Sequence, residues 1–208
     1  MDVETAHKAR VRDGMQGVYQ RQAAAWDATR GKGLSERAWL DKLLALTRPG
    51  DHVLDLGCGS GDPIAAYIVA ASRRICGVDF APAMLDLARQ RMPDETWILD
   101  DMRSLALGKS FAAIIGWDSF FHLSPGEQRL VLPRLRDHLE PGGALLLTVG
   151  PRAGEPLGEV GGEPVYHASL DPHEYRSGLA GAGLELIEFV PDDPECGRTV
   201  LLARRVLG

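Results

Sequence analysis

Apolar residues recur in two periods along this chain of 208 residues. Five short apolar runs fall at His52–Asp55, Arg74–Asp79, Thr96–Asp100, Phe111–Trp117 and Gly143–Val149. Runs of this length without strict alternation predict strands buried on both faces. Helical spacing between them predicts helices over Asp62–Ala71, Pro82–Met92 and Pro125–Leu139. Strands alternating with helices predict βαβ units and a parallel sheet covered on both sides. Pro133 removes a backbone donor inside the third of these helices, so a kink or a shorter helix is expected there.

Both ends of the chain depart from this rhythm. Residues 1–48 read as helical: Gln16–Thr29 is alanine-rich and free of proline, and Ser35 can cap a second helix carrying Trp39, Leu40, Leu43 and Leu44 on one face. Pro49-Gly50 stops it. Near the other end, Asp171-Pro172-His173-Glu174 combines an acid cap, a proline at the first helical position and a glutamate at the capping-box position. That helix is expected to end near Gly181 or Gly183. Strands Leu184–Val190 and Arg198–Val206 follow, and the short Pro191–Gly197 link allows only an antiparallel hairpin. Residues 151–166, rich in Gly, Pro and Glu, read as a surface loop. The expected architecture is α/β: a Rossmann-like, doubly wound, mostly parallel seven-stranded sheet with an antiparallel C-terminal hairpin.

The length suits one α/β domain with a full core. The net charge of −6 argues against nucleic acid, which wants a basic stripe. Three widely spaced cysteines without a Cys-x-x-Cys pair suggest neither a disulfide framework nor structural zinc, and fit reduced thiols in a cytoplasm. Residues 1–14 lack the apolar core of a secretory signal, and no apolar run reaches the length needed to span a bilayer. The expected location is therefore cytoplasmic, with no membrane partner.

The candidate chemistry gathers after the strands. Asp55-Leu-Gly57-Cys-Gly59-Ser-Gly61 places three glycines at alternate positions behind an acid. Such a loop lets a ligand approach the backbone closely. A dinucleotide site prefers its third glycine at position 62, where this chain has Asp. A pyrophosphate beside Asp55 and Asp62 would meet like charge, so the loop suits a ligand without phosphates, even a cationic one. Asp79 ends the second run, where an acid can accept from both ribose hydroxyls. Asp100-Asp101-Met102 ends the third, where an acid can accept from an adenine amino group.

In order and spacing, these features resemble the class I S-adenosylmethionine-dependent methyltransferases. VLDLGCGSG (53–61) resembles their first motif, GVDFAPAMLDLAR (77–89) their second, LDDMRSL (99–105) their adenine-contact motif and LEPGGALLLTV (139–149) their fifth strand. The resemblance implies S-adenosylmethionine as cofactor, with Gly57 and Gly59 along its methionine part and Asp55 facing its amino group. It further implies Asp79 on the ribose, Phe80 and Met102 around the adenine, Asp101 at the adenine amino group and Trp117 near the sulfonium. It implies an N-terminal helical lid over residues 1–48, bringing Tyr19 and Trp26 towards the cofactor and acceptor, on a methyltransferase unit of residues 49–208. Plainer roles stand beside these: Asp55 or Asp79 capping the following helix, and Phe80, Met102 and Trp26 as core residues. Cys58 reads as a small filler, with no histidine beside it in sequence.

Asp118 and His122, after the fourth run, are the candidate catalytic residues, and Phe121, Tyr166 and His167 the candidate acceptor contacts with Trp26. His122 reads equally as a packed or capping histidine, and Tyr166 and His167 as surface-loop residues. No metal-ligand cluster is apparent. Nor is there an Asn-Pro-Pro-Tyr motif of amino-methylating nucleic-acid enzymes. The expected function is methyl transfer to O, N or S of a small molecule by in-line displacement. Other chemistry on the sulfonium and a non-catalytic binding module are the alternatives. A nicotinamide-dependent dehydrogenase is disfavoured by Asp62. The sequence carries no signal of oligomeric state.

Overall fold

The computed structural model describes residues 3–207. The helices are α1 (Val3–Thr29), α2 (Arg37–Leu44), α3 (Ile64–Ala70), α4 (Pro82–Arg91), α5 (Pro125–Asp137) and α6 (Pro172–Gly181). The strands are β1 (His52–Leu56), β2 (Arg74–Asp79), β3 (Thr96–Leu99), β4 (Phe111–Gly116), β5 (Leu139–Val149), β6 (Leu157–Val160), β7 (Glu163–Tyr166), β8 (Leu184–Asp193) and β9 (Arg198–Arg205). Seven of them form one sheet in the order β3-β2-β1-β4-β5-β9-β8. Pairings from β3 to β5 are parallel, and β9 runs antiparallel to both β5 and β8. The fold class is as expected.

Side chains alternate between the two faces of the sheet. Leu54, Ile114, Leu145 and Leu147 pack on one side with Val131 and Leu135 of α5 and Tyr175 and Leu179 of α6. Val53, Ile75, Ala113, Ile115 and Leu146 pack on the other with Leu40 and Leu43 of α2, Ile68 of α3 and Leu85 of α4. Helix α1 enters neither core. Its Val11, Met15, Val18 and Ala23 pack instead against residues of β6, β7 and α4, with Tyr19 and Phe80. It lies across the end of the sheet where β1 and β4 stop.

Several local expectations change. Residues 151–166 are not loop throughout, because β6 and β7 pair there as a separate two-stranded sheet that supports α1. Ser35 does not cap α2; its hydroxyl donates to the Glu36 carboxylate. Helix α3 starts two residues later than Asp62. Helix α5 continues through Pro133, whose ring is on the exposed side. Strand β5 starts at Leu139, four residues before Gly143, and carries an irregularity opposite Phe111–Ala113. Asp171 caps α6 as expected, but Glu174 pairs with Arg129 rather than completing a capping box.

Candidate active site

The strand order reverses at β1, which has β2 on one side and β4 on the other. A crevice opens above the carboxyl ends at such a point. The chain leaves β1 through Gly57, whose φ is +67°; a Cβ there would come 2.4 Å from the Cβ of Ser119. Ser119 is fixed by donating from Oγ to the Leu56 carbonyl at 2.6 Å. Gly61 answers to packing instead: a Cβ at its φ of +75° would stand 2.8 Å from the Trp97 ring. The loop consumes its own donors. Gly57 and Cys58 donate to the Val78 carbonyl, Gly61 to Cys58, and Gly59 to Asp79 Oδ2 at 2.9 Å. These amides form no phosphate-binding nest.

Beside the loop lies a cleft open at its mouth. Its wall includes Asp55, Gly57, Gly59, Asp79, Phe80, Asp101, Met102 and Trp117. Asp55 is 3% exposed, and its carboxylate has no hydrogen-bond partner among the described residues. Burial, aided by repulsion from Asp79 and opposed by Arg30, pushes Asp55 up to about 7. Burial likewise raises Asp79 to about 6, against the amides of Ala81, Gly59 and Phe80 that hold its charged form. Asp79 Oδ1 accepts from Ala81 at 2.8 Å, leaving each carboxylate oxygen further acceptor capacity. Neither acid caps a helix: α3 and α4 begin without a side-chain cap.

Asp62 behaves differently from the expectation. Lys32 pairs with it at 2.9 Å and Arg91 stands 3.9 Å away, so its charge is compensated. Among the described residues, Asp55, Asp79 and Asp100 line the cleft without a salt-bridge partner. Asp101 reaches the wall, but Arg103 grips its carboxylate, and Asp101 also caps the short turn over Met102–Ser104.

At the other end of the cleft, α1 meets the turn after β4. Tyr19 Oη and His122 Nε2 are 2.8 Å apart, and His122 Nδ1 lies 2.7 Å from the Tyr166 carbonyl. A carbonyl only accepts, so Nδ1 carries the hydrogen, and in the neutral ring Tyr19 donates to Nε2. Burial lowers His122 to about 4, which keeps it neutral, and burial raises Tyr19. Trp26 stands edge-on to Tyr19 in the same wall. Asp118 also lines the cleft, in a left-handed backbone conformation of φ +52°. Arg198 of β9 donates to both of its carboxylate oxygens, at 2.6 and 2.9 Å.

The cleft does not gather every expected residue. Tyr166 is 2% exposed under α1 with its hydroxyl on Glu155, outside the wall; its carbonyl, not its ring, serves the site. Phe121 and His167 also lie outside the wall; Phe121 meets His122 and His167 edge-on and His167 lies tilted against His122, so the two rings back it. Sequence reasoning gave no site role to Arg30, Arg103, Ser119 and Met15, which do line it. Arg103 and Ser119 lie within two residues of predicted positions. Arg30 and Met15 gave only their place on the N-terminal segment. Among the described residues no group of three or more His, Cys, Asp or Glu is placed to hold a metal ion, and no helix is long and apolar enough to cross a membrane.

Residues 53–143 match the family described as a methyltransferase domain. Over that stretch the chain is similar to methyltransferases. It is 30% identical over 109 residues to an N,N-dimethyltransferase of dTDP-3-amino-3,4,6-trideoxy-α-D-glucopyranose from Streptomyces venezuelae, covering 51% of this chain and 46% of that one. It is 28% identical over 177 residues to a malonyl-[acyl-carrier protein] O-methyltransferase from Serratia marcescens, covering 82% and 68%. The chain spans about half the length of most curated relatives it matches. Its fold superposes on an amino pentose methyltransferase from Micromonospora echinaspora with a TM-score of 0.69 at 23% identity, over 89% of this chain and 96% of the other.

The matched domain implies S-adenosylmethionine, and the residues of this cleft fit it. An unpartnered buried carboxylate suits an ammonium or sulfonium, and spent loop amides suit a ligand without phosphate. Asp79 retains acceptor capacity for a diol, and Phe80 and Met102 give apolar surfaces for a base.

Proposed function

We propose that this chain is a methyltransferase, transferring a methyl group from S-adenosylmethionine to O, N or S of a small-molecule acceptor. The observation that carries this reading is the partnerless Asp55 carboxylate, buried beside Asp79 in a cleft whose loop amides are already spent. When bound, S-adenosylmethionine supplies a methyl group on a positively charged sulfur, already activated for displacement. Asp55, Asp79 and the Phe80–Met102 surfaces would hold it, with Asp101 at the base once Arg103 yields one oxygen. Tyr19 and Trp26 would close the cleft, exclude water and leave the acceptor to enter between them and Asp118.

Where the acceptor must lose a proton, Tyr19 Oη, its own hydrogen held on His122 Nε2, keeps a lone pair to accept the acceptor's hydrogen bond. Burial holds His122 neutral, so it fixes the Tyr19 hydroxyl rather than taking its proton. Asp118, forked by Arg198, serves better as a fixed hydrogen-bond acceptor than as a base. The matched relatives act on different acceptors by name, an amino sugar and a malonyl carrier protein among them, so they leave the acceptor of this chain open. The three free cysteines are consistent with action in the cytoplasm.

The test is calorimetric titration with S-adenosylmethionine and NAD, then an acceptor-library screen. Binding of the sulfonium alone, weakened about 10-fold or more by Asp79→Ala, is expected. Release of S-adenosylhomocysteine with a methylated product supports the reading; release of methylthioadenosine instead would replace it with other sulfonium chemistry.

A further inference from the structure

The two ends of the cleft differ in charge, and Arg198 makes the difference. At the loop end, Asp55, Asp79 and Asp100 line the wall without a salt-bridge partner among the described residues. Where α1 meets the turn after β4, the titratable groups are neutral or paired. Burial lowers His122 to about 4 and raises Tyr19, so both rings are uncharged, and burial also lowers His167 behind them. Asp118 lies within electrostatic reach of all three. Its backbone N–H donates to Thr148 Oγ1 at 2.7 Å, and its carboxylate takes both hydrogen bonds of the Arg198 fork. Around Arg198 itself stand Asp118, Glu36 and Cys196, and Glu36 is already paired with Arg30.

Tyr19 Oη and the Asp118 carboxylate thus both offer lone pairs to an acceptor: the hydroxyl has spent its hydrogen on His122, and the carboxylate accepts only. A primary amine matches them in its uncharged form. Its two hydrogens go to Tyr19 and Asp118, and its lone pair is left for the methyl carbon. An uncompensated Asp118 would favour the ammonium instead, which has no lone pair to give. Resting on the S-adenosylmethionine reading, we propose that the acceptor is a primary amine bound uncharged, and that Arg198, by compensating Asp118, selects that form. In the transfer the nitrogen lone pair forms the new C–N bond and the C–S bond breaks with its electron pair going to sulfur. The methylated ammonium then releases a proton to solvent, so no base is needed before the methyl moves. Arg198 acts through Asp118 and is a positioning residue.

The test begins with a library in which primary amines, alcohols, thiols and carboxylic acids share carbon skeletons, read by release of S-adenosylhomocysteine. Amines are the expected substrates. Turnover confined to another class, or none while S-adenosylmethionine binds, would overturn the proposal. Failure to bind S-adenosylmethionine at all would overturn the cofactor reading beneath it. The best alkylamine is then titrated calorimetrically into the S-adenosylhomocysteine complex of wild type, Arg198→Met and Arg198→Lys. The window is about pH 7.5 to 9, above the range in which Asp55 and Asp79 titrate. An alkylamine titrates near pH ~10, so its uncharged fraction grows about 10-fold per pH unit there. Wild type and Arg198→Lys should gain affinity for total amine by about that factor per unit. Arg198→Met should gain less than about 3-fold, because its bare Asp118 also takes the ammonium. A merely structural role would weaken binding at every pH and leave the slope. A flat wild-type profile, or an unchanged slope in Arg198→Met, would overturn selection by Arg198. S-adenosylhomocysteine affinity within about 2-fold of wild type reports an intact cleft in each variant.

Discussion

Asp55 and Asp79 are where pH acts first. Both carboxyls are raised in the folded chain, to about 7 and about 6, chiefly by burial. The fold therefore holds protons that the unfolded chain gives up. Their contribution to ligand-free stability is full below the unfolded carboxyl value near pH 4 and is lost as pH rises through 6 and 7. A cationic ligand reverses the preference, because it binds the ionised pair. Affinity for S-adenosylmethionine should accordingly rise as pH increases from about 5.5 to 7.5. Calorimetry in buffers of different ionisation enthalpy should show proton release on binding near pH 6.5. Asp55→Asn should raise the ligand-free Tm at pH 7.5, by on the order of 5 °C, while weakening sulfonium binding. A Tm that fell instead would mean that Asp55 is paired in solution. The acids themselves were legible in the sequence because each ends a strand. Their partners were not: that Arg103 grips Asp101, or that Lys32 covers Asp62, depends on side chains meeting across turns.

At the level of elements, α1 is held by ties to several other parts of the chain. Gln16 donates to the Phe80 carbonyl, Arg21 and Gln22 meet Glu163 of β7, and Asp27 takes hydrogen bonds from Ser60, Arg91 and Lys32. Burial pushes Asp27 up, and those three donors more than offset it, holding it at about 2. The Tyr19–His122 contact joins α1 to the turn after β4. Tyr19→Phe keeps the ring and removes that contact. Donor affinity should stay within about 2-fold, while kcat for an acceptor that must lose a proton falls about 10- to 100-fold. An unchanged kcat with such an acceptor would remove Tyr19 from the chemistry. Pro133 makes a separate point about elements. Local propensity argued for a kink or a shorter helix; the helix ends at Asp137, yet it runs through Pro133, whose exposed ring sits on a helix anchored by Val131, Leu132 and Leu135 in the core. Pro133→Ala should stabilise the chain by about 1–3 kcal/mol in denaturant unfolding, with the m-value unchanged.

Over the whole molecule, the wall of the cleft at the sheet end and the cover over it have different origins in the chain. The matched residues 53–143 supply Asp55, Asp79 and Asp101, whereas Tyr19, Trp26, Arg30 and the forking Arg198 lie outside them. The first was legible because a strand end followed by an acid or glycine fixes position locally. The second depends on α1 crossing the sheet end and on β6–β7 beneath it, a hairpin hidden in a Gly- and Pro-rich stretch without alternating apolar positions. Because α1 adds no residue to either sheet core, a chain starting at Gly31 should still unfold cooperatively by circular dichroism. It should lose binding of S-adenosylmethionine by about 10-fold or more. Loss of the cooperative transition would show that α1 is part of the folding unit.

The two borders of the main sheet decide how the protein behaves in a crowded solution. An open border is a template on which another chain can add a strand and begin to aggregate. On one side β3 is only four residues long. On the other, β8 exposes Ile187 but interrupts its own ladder twice, between Leu186 and Glu188 and between Val190 and Asp193. It also carries Glu185, Glu188, Pro191, Asp192 and Asp193, with Lys42 drawn across to Glu188. Strand addition at either border therefore has little to register on, and the sheet stops at seven strands.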